Sequence, residues 1–282
     1  MDTLDGKVAL VTGASRGIGK GIVLALLGEG MTVHATARTG TGAVSQIDPQ
    51  QVGSLETLAR DAAGLPGTLF THVCDHADDA QSKAVVANIV ARHGHIDILV
   101  NNAWPGYERM EEPDAPGNKF TWVNPFWEQP MWRWTAMIDT GLRGAFVVSR
   151  AAAPAMVARR SGLIVNISFW AAQRFDGNVI YGIAKAGADK MTHDFAHNLR
   201  EHGVAAVSLY PGLVRTESVL LNAQHFDLSN SMSPQFIGRA VAGLARDPLL
   251  MEKSGRVQIA AALGLEYDIA DIDGKRPQPD PL

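Results

Sequence analysis

Apolar residues along the chain gather in two alternating patterns. Seven short, nearly continuous runs rich in β-branched residues stand out: "KVALVT" (7–12), "MTVHATA" (31–37), "TLFTHVC" (68–74), "IDILVN" (96–101), "GLIVNIS" (162–168), "VAAVSLY" (204–210) and "GRVQIA" (255–260). Runs without strict polar alternation predict strands buried on both faces, as in a parallel sheet. Between them lie amphipathic stretches such as "GIGKGIVLALLGEG" and "DDAQSKAVVANIVARHG". Each is closed by a glycine suited to a helix C-terminus. Strands joined by crossover helices predict an α/β fold: a doubly wound, mostly parallel seven-stranded sheet of Rossmann type in a single domain.

Two segments break the rhythm. Residues 103–134, an aromatic-rich insertion, hold five of the six tryptophans among prolines and glycines that discourage regular structure. From residue 261 the sequence turns polar and proline-rich. The expected organisation is a dinucleotide-binding and catalytic domain over 1–260, followed by a surface-packed tail over 261–282.

Composition narrows the class. Hydrophobic residues make up 46% of the 282 and charged ones 19%, which predicts a packed core rather than disorder. A net charge of -4 without a basic stripe gives no reason to expect a nucleic-acid partner. The single cysteine, Cys74, leaves no internal disulfide and no cysteine-built metal site, and suits a reducing cytoplasm. The acidic start and short apolar run near the N-terminus are unlike a signal peptide, and no run approaches the ~20 residues that cross a bilayer. The expectation is a soluble, cytoplasmic protein without a membrane span. His72, Cys74, Asp75 and His76 fall close together, but their spacing follows no common zinc pattern, so no metal is expected.

The first strand runs into "TGASRGIG" (12–19) and a helix follows at once. Gly13, Gly17 and Gly19, with Ser15, Arg16 and Ile18 between them, let the backbone turn tightly beneath a pyrophosphate at the helix N-terminus. An acid at the end of the second strand would accept hydrogen bonds from a ribose 2′-hydroxyl; an arginine would meet a 2′-phosphate. Here Arg38 stands in that place, and Arg16 lies in the loop. Two guanidiniums on one phosphate favour NADP(H), with NAD(H) left open.

Tyr181 precedes Lys185 by four residues, one helical turn, and Ser168 ends the fifth run. Together with the glycine loop, "NNA" (101–103) and "PGLVRT" (211–216), "YGIAK" resembles the short-chain dehydrogenase/reductase family, in its single-domain branch. The match runs to about residue 260. Within the branch the chain looks most like the dehydrogenase/reductase family member 1 subgroup, through "NNAW", "FWEQP", "GLRGAF" and "DIDGKRP".

The resemblance implies a carbonyl reductase or the reverse alcohol dehydrogenase, with Ser168, Tyr181 and Lys185 catalytic. Tyr181 would pass a proton to the carbonyl oxygen, Ser168 would stabilise that oxygen, and Lys185 would also bind the nicotinamide ribose. A unit charge ~4 Å away at an effective dielectric of ~20 is worth roughly 4 kcal/mol, so Lys185 is expected to bring the phenol toward neutrality. By the same resemblance, Asp75 would contact the adenine, Asn102 would lie along the cofactor, Thr216 would hold the carboxamide, and Pro211 and Gly212 would shape the turn below the nicotinamide. Read alone, Asp75 and Thr216 are more often helix caps, and only the family register promotes them. Family members commonly form dimers or tetramers, so a homo-oligomer is expected.

Two positions depart from the family pattern. Gly141 stands where the fourth helix usually carries an asparagine, and Trp104 where "NNAG" has its glycine. A glycine still presents its carbonyl, so the proton relay is expected to survive, with Gly141→Asn changing activity by less than roughly tenfold. Trp104 and Trp170 are expected walls of an apolar substrate pocket, with the other insertion aromatics serving as pocket or as local core. Residues 217–235 are expected to form a mobile lid. These features suit a small apolar carbonyl or alcohol. A non-catalytic NADP(H)-binding protein on the same fold is the alternative; epimerase or dehydratase chemistry on a sugar nucleotide is disfavoured by the glycine spacing.

Overall fold

A computed structural model describes residues 3–41, 53–108, 110 and 120–280. The first half alternates strictly: β1 (Val8–Val11), α1 (Gly17–Gly28), β2 (Thr32–Ala37), α2 (Leu55–Asp61), β3 (Thr68–Val73), α3 (Asp79–His93) and β4 (Ile98–Asn101). After the insertion come α4 (Trp132–Trp134), a π-helical stretch (Thr135–Leu142) and α5 (Arg143–Arg159), then β5 (Gly162–Ile167), α6 (Val179–Leu199) and β6 (Val204–Tyr210). The chain closes with α7 (Glu217–Leu221), α8 (Pro234–Arg246), α9 (Leu250–Lys253), β7 (Val257–Ile259) and α10 (Ala260–Glu266).

All seven expected strands form, in one sheet of order β3-β2-β1-β4-β5-β6-β7 with every pair parallel. The order reverses direction between β1 and β4, which opens a crevice at the strands' carboxyl ends. Side chains alternate between two cores, as the pleat requires. Ala9, Val11, Val33 and Val100 face α1 and α8 on one side; Val8, Leu10, Leu99 and Ile164 face α3 and α5 on the other. Helix ends follow local chemistry. Asp78, not Asp75, caps α3, its carboxylate accepting from Ala80 N at 2.8 Å, and Gly94 ends that helix at φ 77°.

The tail departs from expectation. Its first residues belong to α10, whose Ala261 and Leu263 are buried, and Phe236 of α8 packs so closely on Gly264 that a Cβ there would lie 2.4 Å from its ring. After α10, Tyr267 and Ile269 still pack against the core, and Asp271 anchors the segment by accepting hydrogen bonds from Arg215 and from Ser233 N. The proposed lid is likewise shorter than 217–235. Ser231, Met232 and Ser233 are buried, Met232 bridges Val214, and Pro234 opens α8.

Candidate active site

The glycine loop is built by close approach. Gly13 sits at φ +67°, where a Cβ would lie 2.6 Å from Ala103 Cα. At Gly19 a Cβ would lie 2.4 Å from both Gly13 O and Asn102 Nδ2. Asn102 holds the turn from β4, donating to Thr12 O (3.0 Å) and Gly13 O (2.9 Å). Helix α1 carries no side-chain cap of its own, so its first N–H groups are available to an anion from elsewhere.

Tyr181 and Lys185 lie in the first turns of α6. Asn178 caps that helix, accepting from Tyr181 N at 2.9 Å, and its Nδ2 donates to Trp122 O at 2.9 Å, tying the helix start to the insertion. Lys185 Nζ donates to Ile167 O at 3.1 Å and rests 3.9 Å above the Trp104 ring. Ser168 follows β5, buried, with its hydroxyl donating to Lys185 O at 3.3 Å. The Tyr181 hydroxyl pairs with the Tyr107 hydroxyl at 2.8 Å.

The electrostatics of this arrangement correct the simple lysine argument. Burial pushes the Tyr181 phenol well above its usual 10, and Tyr107 adds to the rise. Burial also brings the Lys185 ammonium down to about 7, with Asp189, one turn further along α6, opposing the fall. Desolvation dominates both groups here, because both lie inside while Nζ faces an indole and a carbonyl.

One cavity of about 1210 Å³ joins these parts. Gly13, Ser15, Arg16, Gly17, Ile18, Arg38, Asp75, Asn102, Pro211, Gly212 and Thr216 line it together with Ser168, Tyr181 and Lys185. It exceeds the roughly 300–1,000 Å³ of pockets for drug-sized ligands, as a dinucleotide beside a substrate requires. Gly19 supports the loop from behind. Thr216 does double duty, since its hydroxyl also caps α7 by accepting from Val219 N at 3.3 Å. The glycine cradle, the N-terminus of α1 and the two arginines fit a dinucleotide.

The substrate side sorts the aromatics. Trp104, Tyr107, Phe120, Trp122 and Phe169 line the cavity, whereas Phe126 and Trp127 point outward, 63% and 72% exposed. Trp170 is not among the lining residues. It is 2% exposed and packs edge-on against Tyr210 at 5.1 Å, because the short turn after Ser168 directs it into the core while Phe169 takes the pocket side. The insertion has a small core of its own around the buried Arg133, which stacks on Trp132 and donates to Thr121 Oγ1 at 2.8 Å.

The two departures from the family pattern turn out to be one feature. A Cβ at Gly141 would lie 2.9 Å from Trp104 Cε3 and Cζ3, and one at Gly106 2.7 Å from the other side of that indole. Trp104 fits only between two glycines, and Gly141 lies in the π-helical stretch, a feature often found at functional sites. Asparagine at 141 would displace the indole. Sequence reasoning also missed Glu108 and Glu217, since neither belongs to a motif.

The histidines near the third strand form a side-chain chain instead. His34 pairs with His72 (2.8 Å) and His93 (3.0 Å), and burial holds it neutral, near 3. Among the described residues no group of three histidines, cysteines or carboxylates is arranged to hold a metal ion, and no helix is long and apolar enough to cross a membrane.

Residues 7–224 match the sequence profile of the short chain dehydrogenase family. A mouse protein, dehydrogenase/reductase SDR family member 1, is 36% identical over 96% of this chain and 85% of its own length. Two solved structures share the architecture. A 3-oxoacyl-[acyl-carrier protein] reductase from Brucella melitensis in complex with NAD superposes with a TM-score of 0.73 at 26% identity, over 91% of this chain and 96% of the other. A metagenomic short-chain oxidoreductase in complex with NADP gives 0.68 at 27% identity, over 92% and 97%.

Proposed function

The chain belongs to the short-chain dehydrogenase/reductase family of oxidoreductases, and from that premise we propose an NADP(H)-dependent enzyme acting on a carbonyl or alcohol group of a small apolar molecule. The observation that carries this reading is the convergence of Ser168, Tyr181 and Lys185 with the glycine loop on one cavity. The nicotinamide supplies or accepts the hydride when bound. Tyr181, protonated at neutral pH, donates its proton to the carbonyl oxygen during reduction and takes one from the alcohol during oxidation. Ser168 donates a hydrogen bond to the same oxygen as charge develops there. Lys185, when charged, stabilises the phenolate that Tyr181 becomes. Arg16 and Arg38 favour a 2′-phosphate over a bare hydroxyl.

Trp104, Phe120, Trp122 and Phe169 support an apolar substrate. We read the protein as cytoplasmic and as a dimer or tetramer. Phe146 of α5 and Phe195 of α6, tilted against each other with ring centroids 6.0 Å apart and Phe146 46% exposed, support association through these helices; sedimentation of the purified chain checks it. The decisive experiment follows NADPH oxidation across a panel of apolar ketones and aldehydes. Tyr181→Phe should cut kcat by about a thousandfold while NADPH affinity stays within a few-fold. Carbonyl-dependent turnover that survives the substitution would remove Tyr181 from the role of acid, and its absence from the wild type would favour a non-catalytic dinucleotide-binding protein.

A further inference from the structure

The two places suited to phosphate groups each hold a carboxylate of the protein, and neither carboxylate comes from the dinucleotide-binding half. Glu217, the first residue of α7, reaches across to the glycine loop, where its Oε2 accepts from Gly17 N at 2.9 Å. It thus supplies the anion that α1 lacks at its N-terminus. Glu108, in the loop after β4, forms an ion pair with Arg38 and lies 3.7 Å from the Arg16 guanidinium. Its side chain is only 8% exposed, and it lines the same cavity as both arginines.

A carboxylate shares with a phosphate its negative charge and its paired acceptor oxygens, so the donors that hold one hold the other. We propose that Glu217 and Glu108 are internal stand-ins for the cofactor's pyrophosphate and 2′-phosphate, and that Glu108 sets how strongly NADPH is preferred over NADH. This rests on the reading that Arg16 and Arg38 receive a 2′-phosphate. Cofactor affinity is then a difference: the attraction of each donor set for phosphate, less its attraction for the resident carboxylate. Both cofactors must displace Glu217, because both carry the pyrophosphate. Only NADPH must displace Glu108. Glu108 offsets part of the positive charge of the arginine pair, so the preference is weaker than two guanidiniums alone would give.

The test measures binding, separately from turnover. NADPH, NADH, adenosine 2′,5′-bisphosphate and ADP are titrated calorimetrically into the wild type, Glu108→Gln, Glu217→Gln and Arg38→Ala. Glu108→Gln should tighten NADPH and the bisphosphate by about three- to tenfold and leave NADH and ADP within about twofold. Glu217→Gln should tighten all four by a similar factor. Glu108→Ala, which cannot pair with an arginine, should repeat the Glu108→Gln pattern if the amide packs poorly. The proposal is overturned if Glu108→Gln and Glu108→Ala leave NADPH binding unchanged or weaker, or tighten NADPH and NADH equally. Weaker NADH binding in those variants also overturns it, because Glu108 would then be a ribose-hydroxyl acceptor. Failure of the underlying reading looks different: Arg38→Ala would then leave NADPH affinity unchanged.

Discussion

The cavity has two walls of opposite character. One is made by the glycine loop, the carboxyl ends of β1, β4 and β5, and the start of α6. Its parts hold one another: Thr12 Oγ1 accepts from Asn102 N and Ala103 N, each at 3.0 Å, and Asn166 joins Asn101 to Thr192 through buried hydrogen bonds of 2.8 Å. The other wall is made by residues 104–108, the rest of the described insertion and α7. Its polar side chains bond to the site groups themselves: Tyr107 to Tyr181, Glu108 to the arginines, Glu217 to Gly17. The first wall is held by its own hydrogen bonds, whereas the second is tied to it across the cavity.

The largest effect should come from breaking the first wall. Gly19→Ala puts a methyl group 2.4 Å from Gly13 O, a backbone atom that cannot move without opening the loop. NADPH affinity measured by fluorescence titration should fall by at least about a hundredfold, or roughly 2.7 kcal/mol. Loss of less than about fivefold would mean that the loop is not the rigid element argued here.

The second wall should yield more gently, and as a unit. Gly141→Asn alone should cost about 1–3 kcal/mol of stability by urea unfolding, since Trp104 is pressed on its far side by Gly106. Trp104→Gly in the same chain makes room for the asparagine, so the double variant should be more stable than the sum of its parts, with a coupling of about 1–2 kcal/mol. Strict additivity would show that the two positions do not contact each other in solution.

The same contrast explains what could be read from the sequence. The seven strands were legible because burial on both faces forces continuous apolar runs. The glycine loop was legible because close backbone approach at Gly13 and Gly19 admits no other residue. Ser168, Tyr181 and Lys185 reach the cavity from two adjoining elements with fixed spacing, β5 and α6. What stayed hidden depends on contacts across long sequence separations. Glu108 meets Arg38 across 70 residues and Glu217 meets Gly17 across 200, and no local pattern encodes either meeting. Trp170 was misplaced for a related reason. Sequence proximity to Ser168 cannot say which of two adjacent aromatics a turn sends inward, and Phe169 took the cavity side. The lysine–tyrosine argument erred on magnitude, since spacing revealed the neighbours but not the depth of burial.

The smallest expected effect sharpens the contact between the walls. Tyr107 reaches the Tyr181 hydroxyl although the residue as a whole is 44% exposed, and burial of its hydroxyl end pushes its own phenol up to about 12. Its hydrogen bond and charge both raise the Tyr181 phenol. Reduction needs Tyr181 protonated, so its rate is lost as pH rises through the Tyr181 value; oxidation needs the phenolate and gains over the same interval. Removing the Tyr107 hydroxyl lowers that value. In Tyr107→Phe the alkaline limb of the reductive kcat profile should therefore move to lower pH, and oxidation at a fixed alkaline pH should speed up, with reduction at pH 7 changed by less than about threefold. Cofactor affinity should not move, because Tyr107 meets Tyr181 and not the phosphate donors. A limb that stays in place would mean that Tyr107 leaves Tyr181 before the proton is transferred, and the second wall would then guard entry without tuning the acid.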